Sequence, residues 1–224
     1  MNPTITRETL FRLGGAALVV GGLLGPIGHL VLHPPSHAVV YQAWPTWAAA
    51  HTVLTISWVL LLLGLFALYA KLHERLGAAG LIGFVFLCGM CLYQVFNYAY
   101  DAFTVPLLLS SFPGETATGP DGPLPLPHGL YPLPLTFPAG VLLFGIFTFR
   151  AQREARWPAL GFMLSMVFIY AGLAIGHSPL HYGYAIPIGF SVNSLAYVWL
   201  GIFLISQATP AVQVAPSAAL VLEV

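Results

Sequence analysis

Apolar residues in this chain come in long unbroken runs rather than alternating or recurring once per helical turn. Six runs, 13–33, 47–70, 78–101, 134–149, 158–177 and 185–206, are separated by short polar or proline-rich stretches. A hydrocarbon layer of about 30 Å takes about 20 helical residues to cross. In hydrocarbon every backbone N–H and C=O must find a partner within the protein, so runs of this length predict helices. A β-barrel would show segments of about ten residues with alternating polarity, and none appear. The pattern predicts an all-α integral membrane protein, six transmembrane helices in an up-down bundle over residues 1–206, with no soluble domain. The connections 71–77 and 150–157 are short enough to force antiparallel hairpins.

Composition agrees with the pattern. The chain has 224 residues, of which 58% are hydrophobic and 6% charged, with a mean hydropathy of +0.85. A soluble domain carries about 25% charged residues. Net charge is zero, which gives no electrostatic basis for binding nucleic acid. The partner implied is the lipid bilayer, together with other membrane subunits if the chain works within a complex.

Charge then orients the bundle. The seven Lys and Arg residues are Arg7 and Arg12 before the first run, Lys71 and Arg75 between the second and third, and Arg150, Arg153 and Arg156 between the fourth and fifth. Alternate connections carry none. Positive charge marks the cytoplasmic side, so both termini are expected inside the cell membrane. The apolar stretch Leu13 to Leu32 is too long for a signal-peptide core and reads as a retained first helix. Residues 207–224, with Glu223 as their single charge, read as a loosely ordered tail.

On the outer side, the long connection 102–133 between helices three and four is dense in proline, which predicts extended or turn-rich backbone. Its apolar residues, among them Val105, Leu107, Phe112, Leu124 and Leu130, suit a lid over the bundle rather than a freely solvated loop. Trp44, Trp47, Tyr41, Tyr131, Tyr182 and Tyr184 fit an outer aromatic belt, and Trp157 an inner one. Pro26 and Pro187 are expected to kink the first and sixth helices. Gly21-x-x-x-Gly25 and Gly172-x-x-x-Gly176 suit close helix approach. Cys88 and Cys91 have the spacing of a redox pair but lie mid-membrane, where thiolates form poorly; they read as small packing residues.

Seven of the eight histidines fall on the outer side. Ile27-Gly28-His29-Leu30-Val31-Leu32-His33 closes the first helix and Ile175-Gly176-His177-Ser178-Pro179-Leu180-His181 the fifth, identical at five of seven positions. This echo hints at a repeated helix pair. Residues four apart share a helix face, so His29 with His33, and His177 with His181, are expected to point the same way. The second helix brings His51 with Thr52 and Thr55; the third brings Gln94, Asn97 and Asp101; the sixth brings Asn193, Ser194 and Tyr197 at greater depth. Polar groups at membrane depth are costly unless they face partners or water, which suggests a cavity opening outward.

Three readings follow. In the first, the cluster binds a divalent transition metal through His29, His33, His51, His177, His181 and Asp101, or a haem between His177 and either His29 or His51. In the second, the histidines near Asp101 titrate and couple protons to transport or sensing. In the third, they are interfacial side chains of a structural or accessory membrane subunit. The HxxxH spacing alone resembles that of membrane hydrolases of the ceramidase and adiponectin-receptor type. Those have a seventh span and a site toward the cytoplasm, and the chain is not assigned to them. No nucleophile or general base can be singled out. His37, His73 and His128 lie outside the cluster.

Overall fold

The computed structural model describes residues 6–33, 46–111, 133–174 and 186–208. Within them the chain is helical, and no strand occurs among the described residues. Helix α1 spans Arg7–Pro26 and runs on as a π-helical turn, Ile27–Leu32. Helix α2, Trp47–Ala99, is interrupted at Gly77 and continues into a second π turn, Tyr100–Thr104, and the short α3, Val105–Ser111. Helices α4 (Leu133–Ala151), α5 (Arg156–Ala174) and α6 (Ile186–Ser206) complete the set. Three stretches are long and apolar enough to cross a membrane: Arg7–Leu32, Trp47–Leu107 and Pro187–Ser206.

Local chemistry moves several expected boundaries. The first helix starts at Arg7, six residues ahead of its apolar run, because the Thr6 hydroxyl accepts the Thr9 N–H (3.1 Å) and caps it. The connection 71–77 is helical almost throughout, since Lys71 to Leu76 are all residues a helix accepts readily. Only Gly77 breaks it, at φ 62° and ψ −169°. The start of the expected lid is also helical rather than extended: 100–111 continues α2 through the π turn into α3, with Pro106 as its second residue. Just after Pro26, where a kink is expected, α bonding gives way to π bonding. The remainder of the lid, 112–132, and the tail from 209 lie outside the described residues.

Gly77 folds the two arms of α2 back on each other. Tyr69 stacks on Phe84 near the fold (4.3 Å between ring centres), and His51 meets Tyr98 at the open end (5.7 Å). The helices close into a ring, in which α6 packs on α1, α1 on the first arm of α2, the second arm on α4, α4 on α5 and α5 on α6. Small residues set the crossings. A Cβ built on Gly15 would lie 2.7 Å from the Gly201 carbonyl, and one on Gly201 would lie 2.6 Å from the Gly15 carbonyl. Gly83 and Gly140 do the same between α2 and α4.

The centre is filled by Leu18, Leu54, Leu61, Leu65, Leu87, Phe144, Phe162, Tyr197 and Leu200. The outer faces are equally apolar, with Leu13, Leu63, Phe66, Leu92, Val167 and Ile202 exposed. Helices that are hydrophobic all round belong in a membrane or a large core, and a chain of this size has no large core.

The two ends of the ring differ in chemistry. At one end Arg7 and Lys71 both lie over the Phe11 ring (5.4 and 5.5 Å), and Arg75 donates to the Ala151 carbonyl and Gln152 Oε1 (3.3 Å each). At the other end stand His29, His33, His51 and Asp101.

Candidate functional site

The histidine end is built on the first two turns of α2. His51 is 2% exposed and its Nδ1 lies 2.8 Å from the Trp47 carbonyl, one turn back. A carbonyl can only accept, so Nδ1 carries the hydrogen and donates it. This bond fixes the ring, and Nε2 faces Asp101 Oδ2 at 3.5 Å. Asp101 reaches that position from the π turn that ends the second arm, and its side chain remains 22% exposed. Trp47 Nε1 donates to the backbone carbonyl of Asp101 (3.2 Å), so one residue holds both members of the pair through main-chain groups.

The end of α1 docks beside them. Thr46 Oγ1 donates to the Leu32 carbonyl (2.9 Å), tying the π turn to the start of α2. His33 then lies against Trp47 and His51, with 5.2 Å between ring centres in each case. His29 is laid instead on Phe190 of α6, nearly parallel at 5.2 Å, and edge-on to Tyr98 at 5.9 Å. The expectation that His29 and His33 act on one face assumed α geometry. Both sit at a π turn with i→i+5 bonding, closed by the His33 N–H on the Gly28 carbonyl (3.0 Å), and their ring contacts differ. π turns are frequent at functional sites, and here one carries His29 and the other Asp101.

Several expected members make their hydrogen bonds elsewhere. Thr52 and Thr55 donate to the carbonyls of Ala48 and His51, four residues back on their own helix (2.7 and 2.8 Å). Asn193 lies deeper and donates to Ser165 (3.0 Å). His73 is at the opposite end, bonded to the Ala70 carbonyl (2.9 Å). His37, His128, His177 and His181 lie outside the described residues.

Tyr98 and Phe190 are not among the residues expected at this end, and Trp47, expected in an interfacial belt, is only 5% exposed. A signal was present in Trp47-x-x-x-His51, the spacing at which a ring nitrogen meets the carbonyl one turn back.

Among the described residues no three His, Cys, Asp or Glu side chains come together as a ready-made metal site. Two of them do stand at ligand spacing. Ligands held about 2.0–2.1 Å from a tetrahedral ion lie about 3.3 Å apart, and His51 Nε2 and Asp101 Oδ2 are 3.5 Å apart. The N–H of the other ring nitrogen on a carbonyl is the support that metal-bound histidines commonly have. The haem pairing expected here needs His177, which lies outside the described residues; of its two candidate partners, His29 is stacked on Phe190, and Tyr98 meets both His29 and His51.

No family model, curated protein or solved structure matches this chain.

Proposed function

We propose that this chain is a multi-pass protein of the cell membrane with six spans and both termini on the basic, cytoplasmic side. Its outward-facing histidine end holds a divalent transition-metal ion. His51 Nε2 and Asp101 Oδ2 are the first two ligands, His33 stands next to them, and His177 and His181 are proposed as further ligands on the strength of the repeated Ile-Gly-His-x-x-Leu-His pattern alone. The observation that carries the reading is the fixed His51 ring: Nδ1 is held by Trp47 and Nε2 stands 3.5 Å from a carboxylate oxygen. Support for the six spans comes from the helices found over each apolar run and from the gathering of basic residues at one end of the ring.

The same contact favours one further reading. Without an ion, Nε2 and Oδ2 face each other favourably only with a proton between them, because Nδ1 already carries its own. A buried His–Asp pair of that kind is suited to proton-coupled transport or sensing.

Metal analysis separates these readings. The full chain, purified without chelator and then offered zinc or cobalt, is expected to retain about one ion per chain if one His–Asp-based site is filled, and H51A and D101N are expected to lose it. Failure of the unaltered chain to retain either ion would overturn the metal reading. The proton pair or a purely structural role would then remain.

A further inference from the structure

Beneath the histidine end, the middle of the bundle holds a second set of polar groups. Asn193 and Tyr197 are four residues apart on α6, one turn above the other on one face. Both are fully buried, at 0% exposure. Asn193 Nδ2 donates to Ser165 Oγ on α5 (3.0 Å), and Ser165 Oγ donates to the Phe162 carbonyl (2.6 Å). This chain of bonds fixes the amide orientation, because a serine hydroxyl whose hydrogen is engaged can only accept from Asn193. Asn193 Oδ1, a pure acceptor, is therefore the atom left over. Among the described residues, neither Asn193 Oδ1 nor the Tyr197 hydroxyl has a hydrogen-bond partner. The Phe162 ring packs edge-on against Tyr197 at 4.9 Å.

Two buried, unpartnered polar groups on one helix face require explanation, since native proteins rarely leave such groups unpaired. Their types restrict what can join them. A metal dication is poorly served here: among the described residues no three His, Cys, Asp or Glu side chains come together, and α6 and the second arm of α2 between Gly77 and Asp101 carry no Asp, Glu, Lys or Arg. A monovalent cation would be equally uncompensated at this depth. A neutral group that donates to Oδ1 and accepts from, or donates to, the phenol suits both types. One hydroxyl does both.

We propose that Asn193 and Tyr197 form a buried binding site for a hydroxyl group, which donates to Asn193 Oδ1 and accepts the Tyr197 O–H. Water and a small neutral alcohol both carry this chemistry. The site shares no residue with the proposed metal site, and the two stand or fall separately.

Thermal unfolding of the full chain in detergent tests it by sign. If the Tyr197 hydroxyl has no partner, Y197F removes a buried unpaired group and leaves Tm unchanged or raises it. If a hydroxyl bridges the two side chains, Y197F lowers Tm by about 2–4 °C, the shift that one lost hydrogen bond gives in a chain of this size. The same substitution then has no further effect in an N193L background, with N193A in its place should N193L not accumulate. Glycerol is the alcohol probe, with trimethylamine N-oxide as an osmolyte lacking hydroxyls. Stabilisation by glycerol that is larger for the unaltered chain than for the double variant, and not matched by the N-oxide, assigns a small alcohol. Equal stabilisation of both proteins assigns water. Either result keeps the site. An unchanged or raised Tm for Y197F overturns it.

Discussion

Trp47 and Asp101 are 54 positions apart in sequence and joined by one hydrogen bond, from the indole N–H to the Asp101 carbonyl at 3.2 Å. The bond closes the open end of the α2 hairpin, opposite the fold at Gly77. It also places the Asp101 carboxylate over His51, because the Trp47 carbonyl holds the His51 ring at the same time. W47F keeps an aromatic ring for His33 and His51 to pack on and removes the donor together with one ring of the indole. Loss of one such bond costs about 0.5–1.5 kcal/mol, so the fold is expected to survive. Supporting residues of this kind change metal affinity by about 10–100-fold. Zinc titration of W47F should therefore show an affinity at least about 10-fold weaker, with an unfolding temperature lowered by only about 2–4 °C. An unaltered affinity would show that the Trp47 bond does not position the carboxylate.

The four described residues of the histidine end are expected to differ in their effect on metal retention. H51A and D101N remove the two groups at ligand spacing and should abolish it. H33A removes a ring that touches His51 at 5.2 Å and should weaken it by a smaller factor. H29F should leave it unchanged, because His29 is stacked on Phe190 and a phenylalanine can occupy the same place. Cobalt absorption read across the four variants checks the order. Strong loss in H29F with retention in H51A would reverse the assignment and move the site toward α6.

Orientation in the membrane is open to reporter fusions. Fusions at His37, Glu115 and Tyr182 are expected to report from the outside, and fusions at His73, Arg153 and the C-terminus from the inside. The basis is the confinement of every Lys and Arg to three segments. A cytoplasmic signal from Glu115 would invert the histidine end and end the case for an outward-facing site.

The helices were legible in the sequence because apolar length alone specifies a span. The two chemically distinct ends were legible because charge must leave the hydrocarbon. The internal wiring of the histidine end was not. The i, i+4 rule that paired His29 with His33 holds for an α-helix, and nothing in Ile27–Leu32 announces a π turn except Pro26 just before it. Thr52 and Thr55 read as polar neighbours of His51, yet a threonine hydroxyl in a helix can bond the carbonyl one turn back and add no polarity to a cavity. Tyr98 and Phe190 gave no signal because an aromatic residue in an apolar helix looks like any other core residue. What identifies them is their contact with His29, a relation between α1, α2 and α6 that no single segment contains.

Gly77 tests how the α2 hairpin is made. Its backbone, at φ 62° and ψ −169°, lies in a region that essentially only glycine occupies. A Cβ added there would meet nothing within 4 Å, so the neighbours would not resist a larger residue. The cost of G77A is therefore conformational alone, about 1–3 kcal/mol. G77A is expected to lower the unfolding temperature measurably while leaving the helical circular dichroism intact. Inserting one glycine after the new alanine should recover most of the loss, because the inserted residue can take the reversed backbone conformation. If G77A is neutral, the fold between Leu76 and Ala78 is reached through some other backbone path, and the hairpin does not depend on a glycine at that point.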